Sequence, residues 1–146
     1  MKSKYWLIEL TPFILGTLFF YTAFDKLTDY DHFKWQINNQ PFSNKLKPVL
    51  APALPTAELL LTFLLIWPRT SLIGLYGSAS LLSIFTMYTA LLSFNFYNHL
   101  PCPYPTAFDY FSWPLHLVMN LFFLGMTLTG LYFIKTENKT KRPPLP

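Results

Sequence analysis

The sequence predicts an all-α fold, a bundle of four transmembrane helices with a short interfacial helix between the first and second. Three observations lead there. Four strongly apolar runs, at about 5–24, 49–67, 72–94 and 113–134, each approach the length of about 20 residues that a bilayer core demands. The chain is 52% hydrophobic and 12% charged, about half the charged share usual in a soluble protein. The charges are also segregated between and outside the runs, as they are around membrane spans.

The 146 residues make one domain. Residues 1–136 form the membrane unit, and residues 137–146 form a basic, Pro-rich tail ending in Lys139-Thr-Lys-Arg-Pro-Pro-Leu-Pro146. The net charge of +4 comes mainly from the two termini, so it reads as a topology signal and not as a nucleic-acid footprint. The partners implied are membrane lipids and the other proteins of a membrane complex, with no nucleic acid and no cofactor.

The first span follows Lys2 and Lys4, as the apolar part of a secretory signal peptide would. Tyr21-Thr-Ala-Phe24 is a poor cleavage site, however, so the segment is read as a retained helix. Glu9 and Pro12 interrupt it near its start, where a carboxylate still reaches the headgroups. In the following polar connection Tyr30, Phe33, Trp35 and Ile37 alternate with Asp31, His32, Lys34 and Gln36. A short helix in the interface would hold such aromatics at headgroup level, whereas a strand would leave an unpaired edge beside lipid. Pro68-Arg69-Thr70-Ser71 then makes a tight turn, so the second and third spans are antiparallel neighbours. On the third span Gly74 and Ser78 lie one turn apart, with Gly77 beside them, and small residues at this spacing let helix backbones approach closely.

Four spans place both termini on one side. Lys2, Lys4, Arg69, Lys135, Lys139, Lys141 and Arg142 share it, against Lys26, Lys34, Lys45 and Lys47 opposite, seven basic residues to four. By the positive-inside rule the termini are cytoplasmic. The loop from Asn95 to Ser112 has no Lys or Arg and lies on the periplasmic side of a bacterial inner membrane, carrying Cys102 with it.

Polar groups within spans need a reason, since a charge at mid-bilayer costs about 2.5–3.5 kcal/mol on insertion scales. Glu58 stands at the centre of the second span, after Pro52 and Pro55. Those prolines are expected to kink or delay the helix, putting Glu58 in its first regular turn, where the helix dipole favours a carboxylate. Lys26 is its ionic partner by position. Glu58 is then either a structural carboxylate, protonated or lysine-paired, or a group that handles protons or a quinone-like or thiol substrate. His116 and Asn120, one turn apart on the fourth span, share a face, for interhelical hydrogen bonding or for chemistry with Glu58. Lys26, Glu58, His116 and Asn120 thus form the expected intramembrane polar network. His99, Cys102 and His116 match no zinc spacing with a fourth ligand, so no metal site is expected.

In order and spacing these residues resemble a known group of small four-helix membrane proteins, the DoxX-like proteins, and within it the MauE-type redox-associated proteins. The matching residues are Tyr21-Thr-Ala-Phe-Asp-Lys-Leu-Thr-Asp29, Phe33 and Gln36, Pro55-Thr-Ala-Glu58, Gly74-Leu-Tyr-Gly-Ser78, Phe85-Thr-Met-Tyr88, Pro101-Cys102, and Ser112-Trp113 with His116 and Asn120. The resemblance implies a Pro-Cys-x-Cys-Gly-Gly loop outside the membrane, whose cysteine pair passes electrons to a thioredoxin-like partner. It also implies a link to the maturation of disulfide-containing periplasmic enzymes. Here Cys102 matches the first cysteine, Tyr104 stands in place of the second, and Pro105-Thr106 replaces the glycines.

One thiol forms no disulfide within its chain, and a mixed disulfide with a partner would have no neighbouring thiol to resolve it. Between two prolines, Cys102 also lacks a nearby Lys or Arg to favour its thiolate. The expected function is therefore a non-catalytic accessory subunit or assembly factor. The alternatives are a redox component exchanging disulfides through Cys102, with Glu58 and His116 as further catalytic candidates, and a small transporter.

Overall fold

In a computed structural model of the chain, residues 2–94 and 112–141 are described. They form five helices, α1 (Lys2–Thr28), α2 (Tyr30–Asn38), α3 (Lys47–Ile66), α4 (Ser71–Ser93) and α5 (Trp113–Lys141). No strand occurs among the described residues. Helices α1, α3, α4 and α5 are long and apolar enough to cross a membrane. Helix α5 continues through Lys141, so the first residues of the expected tail are helical; no Gly or Pro stops the chain before Pro143.

The four long helices form a ring in which α1 packs on α3 and α5, and α4 packs on the same two. Each neighbouring pair is antiparallel. Gly16 lies beside Leu65 and Ile66 of α3 while Lys26 meets Glu58, and Gly74 faces Leu64 and Leu65 while Gly77 faces Leu61. Gly130 touches Thr11 at one end of the bundle, and Lys135 sits over the Tyr76 ring at 5.9 Å. At the other end His116 and Asn120 approach α1 and α4. The buried core of Leu15, Phe19, Leu61, Leu65, Leu75, Leu82 and Leu131 runs between these levels.

The break between α1 and α2 is a single residue. Asp29 leaves helical geometry at φ −124°, ψ 66°, and its carboxylate accepts a hydrogen bond from the His32 amide, an N-cap that restarts the helix. In the helical period Tyr30, Phe33 and Ile37 share a face, and they pack on Leu50, Ala51 and Leu54 of α3. Trp35 falls outside that face and is 53% exposed. Two of the four expected interfacial residues, Phe33 and Ile37, are therefore core residues. Lys47 Nζ donates to the Asn38 carbonyl at 2.9 Å, joining the end of α2 to the start of α3.

Helix α3 corrects one expectation. Pro52 and Pro55 lie inside an unbroken helix that starts at Lys47, so Glu58 stands about three turns in and not in the first turn. Proline removes one amide and crowds the carbonyl four residues back, but it does not end a helix whose flanks are packed. Ala51 and Pro55 are buried against their neighbours, and membrane helices tolerate proline under these conditions.

The turn at Pro68 is tied by the Thr70 hydroxyl, which donates to the Leu64 carbonyl at 3.0 Å. Just beyond it, a Cβ added at Gly74 would lie 3.0 Å from backbone atoms of Leu64 and Leu65, whereas one at Gly77 would meet chiefly the Cδ2 tip of Leu61. A side-chain tip can turn aside, but backbone cannot. Overpacking costs about 1–3 kcal/mol against about 1 kcal/mol gained in helix propensity. Gly74→Ala should therefore be less stable than Gly77→Ala by at least about 1 kcal/mol, measured by unfolding of the detergent-solubilised proteins. Equal stabilities would mean that α3 and α4 do not approach this closely.

Candidate functional site

Lys26, in the last turn of α1, places Nζ 2.7 Å from Oε1 of Glu58, and the two side chains are only 4% and 2% exposed. The same ammonium sits 5.9 Å from the centre of the Phe33 ring, close enough for a cation–π contribution. Isolated, either charge would cost several kcal/mol in this interior, and pairing repays that cost only when the remaining donors and acceptors are also satisfied. Here they are not. Glu58 Oε2 has no hydrogen-bond partner among the described residues. Of the three ammonium donors, one is taken there, by Glu58 Oε1.

His116 and Asn120 of α5 line the same cavity as Lys26 and Glu58. Its remaining wall includes the Thr22 hydroxyl residue and apolar side chains such as Phe19, Leu82 and Phe85. Asn120 Nδ2 donates to Thr89 Oγ1 at 3.4 Å, a long bond that ties α5 to α4. The Thr62 hydroxyl donates to the Glu58 carbonyl at 2.9 Å. The cavity volume is about 60 Å³, room for roughly two waters at their liquid volume. Waters bridging Glu58 Oε2 and the spare Lys26 donors fit this space.

Several buried polar residues were not singled out in the sequence: Thr22, Thr62, Thr89 and Gln40. Thr89 carries a readable signal, since it continues the Ser78–Leu82–Phe85 face of α4 at helical spacing. Gln40 carries none, because it lies past the end of α2 and its partner, the Tyr88 hydroxyl that donates to Gln40 Oε1, comes from another helix. From Tyr88 an aromatic run continues edge-on to Trp113 at 6.5 Å and from Trp113 to His116 at 6.2 Å.

Cys102 and His99 lie outside the described residues, and so does the comparison of Tyr104 with a second cysteine. Among the described residues no group of His, Cys, Asp and Glu could hold a metal ion.

A family model for the methylamine utilisation protein MauE matches residues 4–133. The chain belongs to the MauE family. The match takes in all four apolar helices and the whole Lys26–Glu58 cluster, so this MauE-family chain is a multi-pass membrane protein in contact with lipid. No curated protein and no solved structure matches it.

Removing one member of a buried ion pair strands the other, at about 3–5 kcal/mol, whereas replacing both is often neutral. Lys26→Met and Glu58→Gln should each lower stability by about that amount, and the double variant should recover most of the loss. Unfolding of the four proteins in one detergent checks this. Additive losses in the double variant would mean that the two side chains do not act as a pair.

Proposed function

We propose that this MauE-family protein is a non-catalytic accessory subunit or assembly factor of a larger membrane or periplasmic complex. The observation that carries this reading is the self-compensation of its polar centre. Lys26 and Glu58 neutralise each other inside the bundle, and the space they share with His116 and Asn120 is small, about 60 Å³. Such a centre fixes which helices meet. The whole sequence contains one cysteine, so a disulfide cycle within the chain has no second sulfur. The polar network of Lys26, Glu58, His116 and Asn120 is then a packing device, and Gly74, Gly77 and Ser78 serve helix approach at the opposite end.

The same reading places both termini in the cytoplasm of a bacterium, with the 95–111 connection outside its inner membrane. Lys26 is buried and paired and so drops out of the loop charges, which leaves seven basic residues on the terminal side against three opposite. That asymmetry favours cytoplasmic termini more strongly than the count that included Lys26.

Two measurements test these points. Deleting the protein should abolish assembly of a stoichiometric partner complex, and Cys102→Ser should restore that assembly as well as the wild type does. A mixed disulfide at Cys102, seen on non-reducing gels and required for assembly, would replace this role with thiol exchange. For orientation, a membrane-impermeant maleimide should label Cys102 in spheroplasts without permeabilisation. Labelling only after permeabilisation would invert the topology.

A further inference from the structure

A second cavity lies on the far side of Lys26, between α2, α3 and α4, with a volume of about 340 Å³. Ile37, Leu50, Leu54, Leu81 and Ile84 give it an aliphatic wall. Its polar groups are few, namely Lys26, Gln40 and Tyr88, with the Phe42 and Tyr88 rings stacked at 5.1 Å beside them. Small-molecule sites have this character, largely apolar pockets of about 300–1,000 Å³ with a small number of placed polar groups. At a water's liquid volume of about 30 Å³, it has room for roughly eleven water-sized or methylene-sized groups.

We propose that this cavity binds a membrane-soluble amphiphile, an apolar chain or ring carrying an uncharged carbonyl that accepts a hydrogen bond from Lys26. Three features select that chemistry. Ile84 lines the cavity yet is 64% exposed, and it sits on a helix apolar enough to span the membrane, so the opening faces lipid and admits what dissolves there. Lys26 is 4% exposed and keeps donors that no described residue accepts, so an acceptor entering beside it would meet a ready partner. The charges of Lys26 and Glu58 already cancel. An anionic head would therefore leave a net charge buried at membrane depth, a costly arrangement, whereas a neutral carbonyl would not. Such a molecule comes from two sources: a bilayer lipid offering its ester carbonyl, or an isoprenoid quinone offering a ring carbonyl. This site shares Lys26 and Phe85 with the smaller cavity but does not depend on the accessory role.

The test uses the full chain purified in a mild detergent. Solvent extraction and mass spectrometry should find an ester lipid or a quinone near one per chain, and melting should rise by several degrees with either 1,2-dioctanoylglycerol or decylubiquinone, by preferential binding to the folded state. A shift with the glycerolipid alone assigns the site to bilayer lipid, and a shift with decylubiquinone alone assigns it to quinone. Ile84→Trp, which sets a ring across the opening without entering the core, should cut retention of that ligand about tenfold or more, a loss of about 1.4 kcal/mol of binding. If Ile84→Trp itself melts early, Leu54→Phe, which shortens the cavity from the α3 wall, should give the same loss. Neither class retained and no shift with either probe would overturn the proposal. So would a ligand held equally by the wild type and by the folded, cavity-blocked variant.

Discussion

The register of the bundle is constrained by one ammonium and one carboxylate brought together where neither is tolerable alone. Lys26 comes from the end of α1 and Glu58 from the middle of α3. Any register between the two helices that separates them leaves two uncompensated charges away from water. Apolar packing is far more permissive, since leucines on two membrane helices meet acceptably in several registers. The pair removes that freedom, and α2 follows from it: once residue 26 is fixed against residue 58, the chain beyond Asp29 lies beside the N-terminal half of α3, where Phe33 and Ile37 find Leu50, Ala51 and Leu54.

The interior is divided by chemistry along its length. One level is made by small residues and threonines, Gly74 against the Leu64–Leu65 backbone and Gly130 against Thr11, where dispersion forces between close helices hold the structure. The other holds the ion pair, His116, Asn120 with Thr89, and Gln40 with Tyr88. The connection carrying Cys102 leaves α4 and enters α5 at this second level. The family match extends over both levels.

Much of this was legible in the sequence because the bilayer imposes simple rules. Run length and charge segregation located four helices to within a few residues at most ends, and the short tight turn at Pro68 implied antiparallel neighbours. Glu58 and Lys26 stood out because charge inside an apolar run is rare. Proline misled: Pro52 and Pro55 suggest a delayed helix in a chain exposed to water, but the packing of Ala51 and Pro55 holds the helix through them. Alternation misled in α2, where a period of two and a helical face select different residues. Neither cavity was legible, since each is a gap left by three or more helices whose side-chain shapes meet only in the folded molecule.

The prolines of α3 carry a mechanical consequence. Pro52 and Pro55 each delete a rung from the hydrogen-bond ladder in the half of the helix that flanks the larger cavity, while the half beyond Glu58 keeps its rungs and is clamped by Gly74. One helix thus joins a stiff segment to a compliant one, with the ion pair as the fulcrum. Elasticity is greatest along the α3 wall of the larger cavity and least where Gly74 holds α3 against α4.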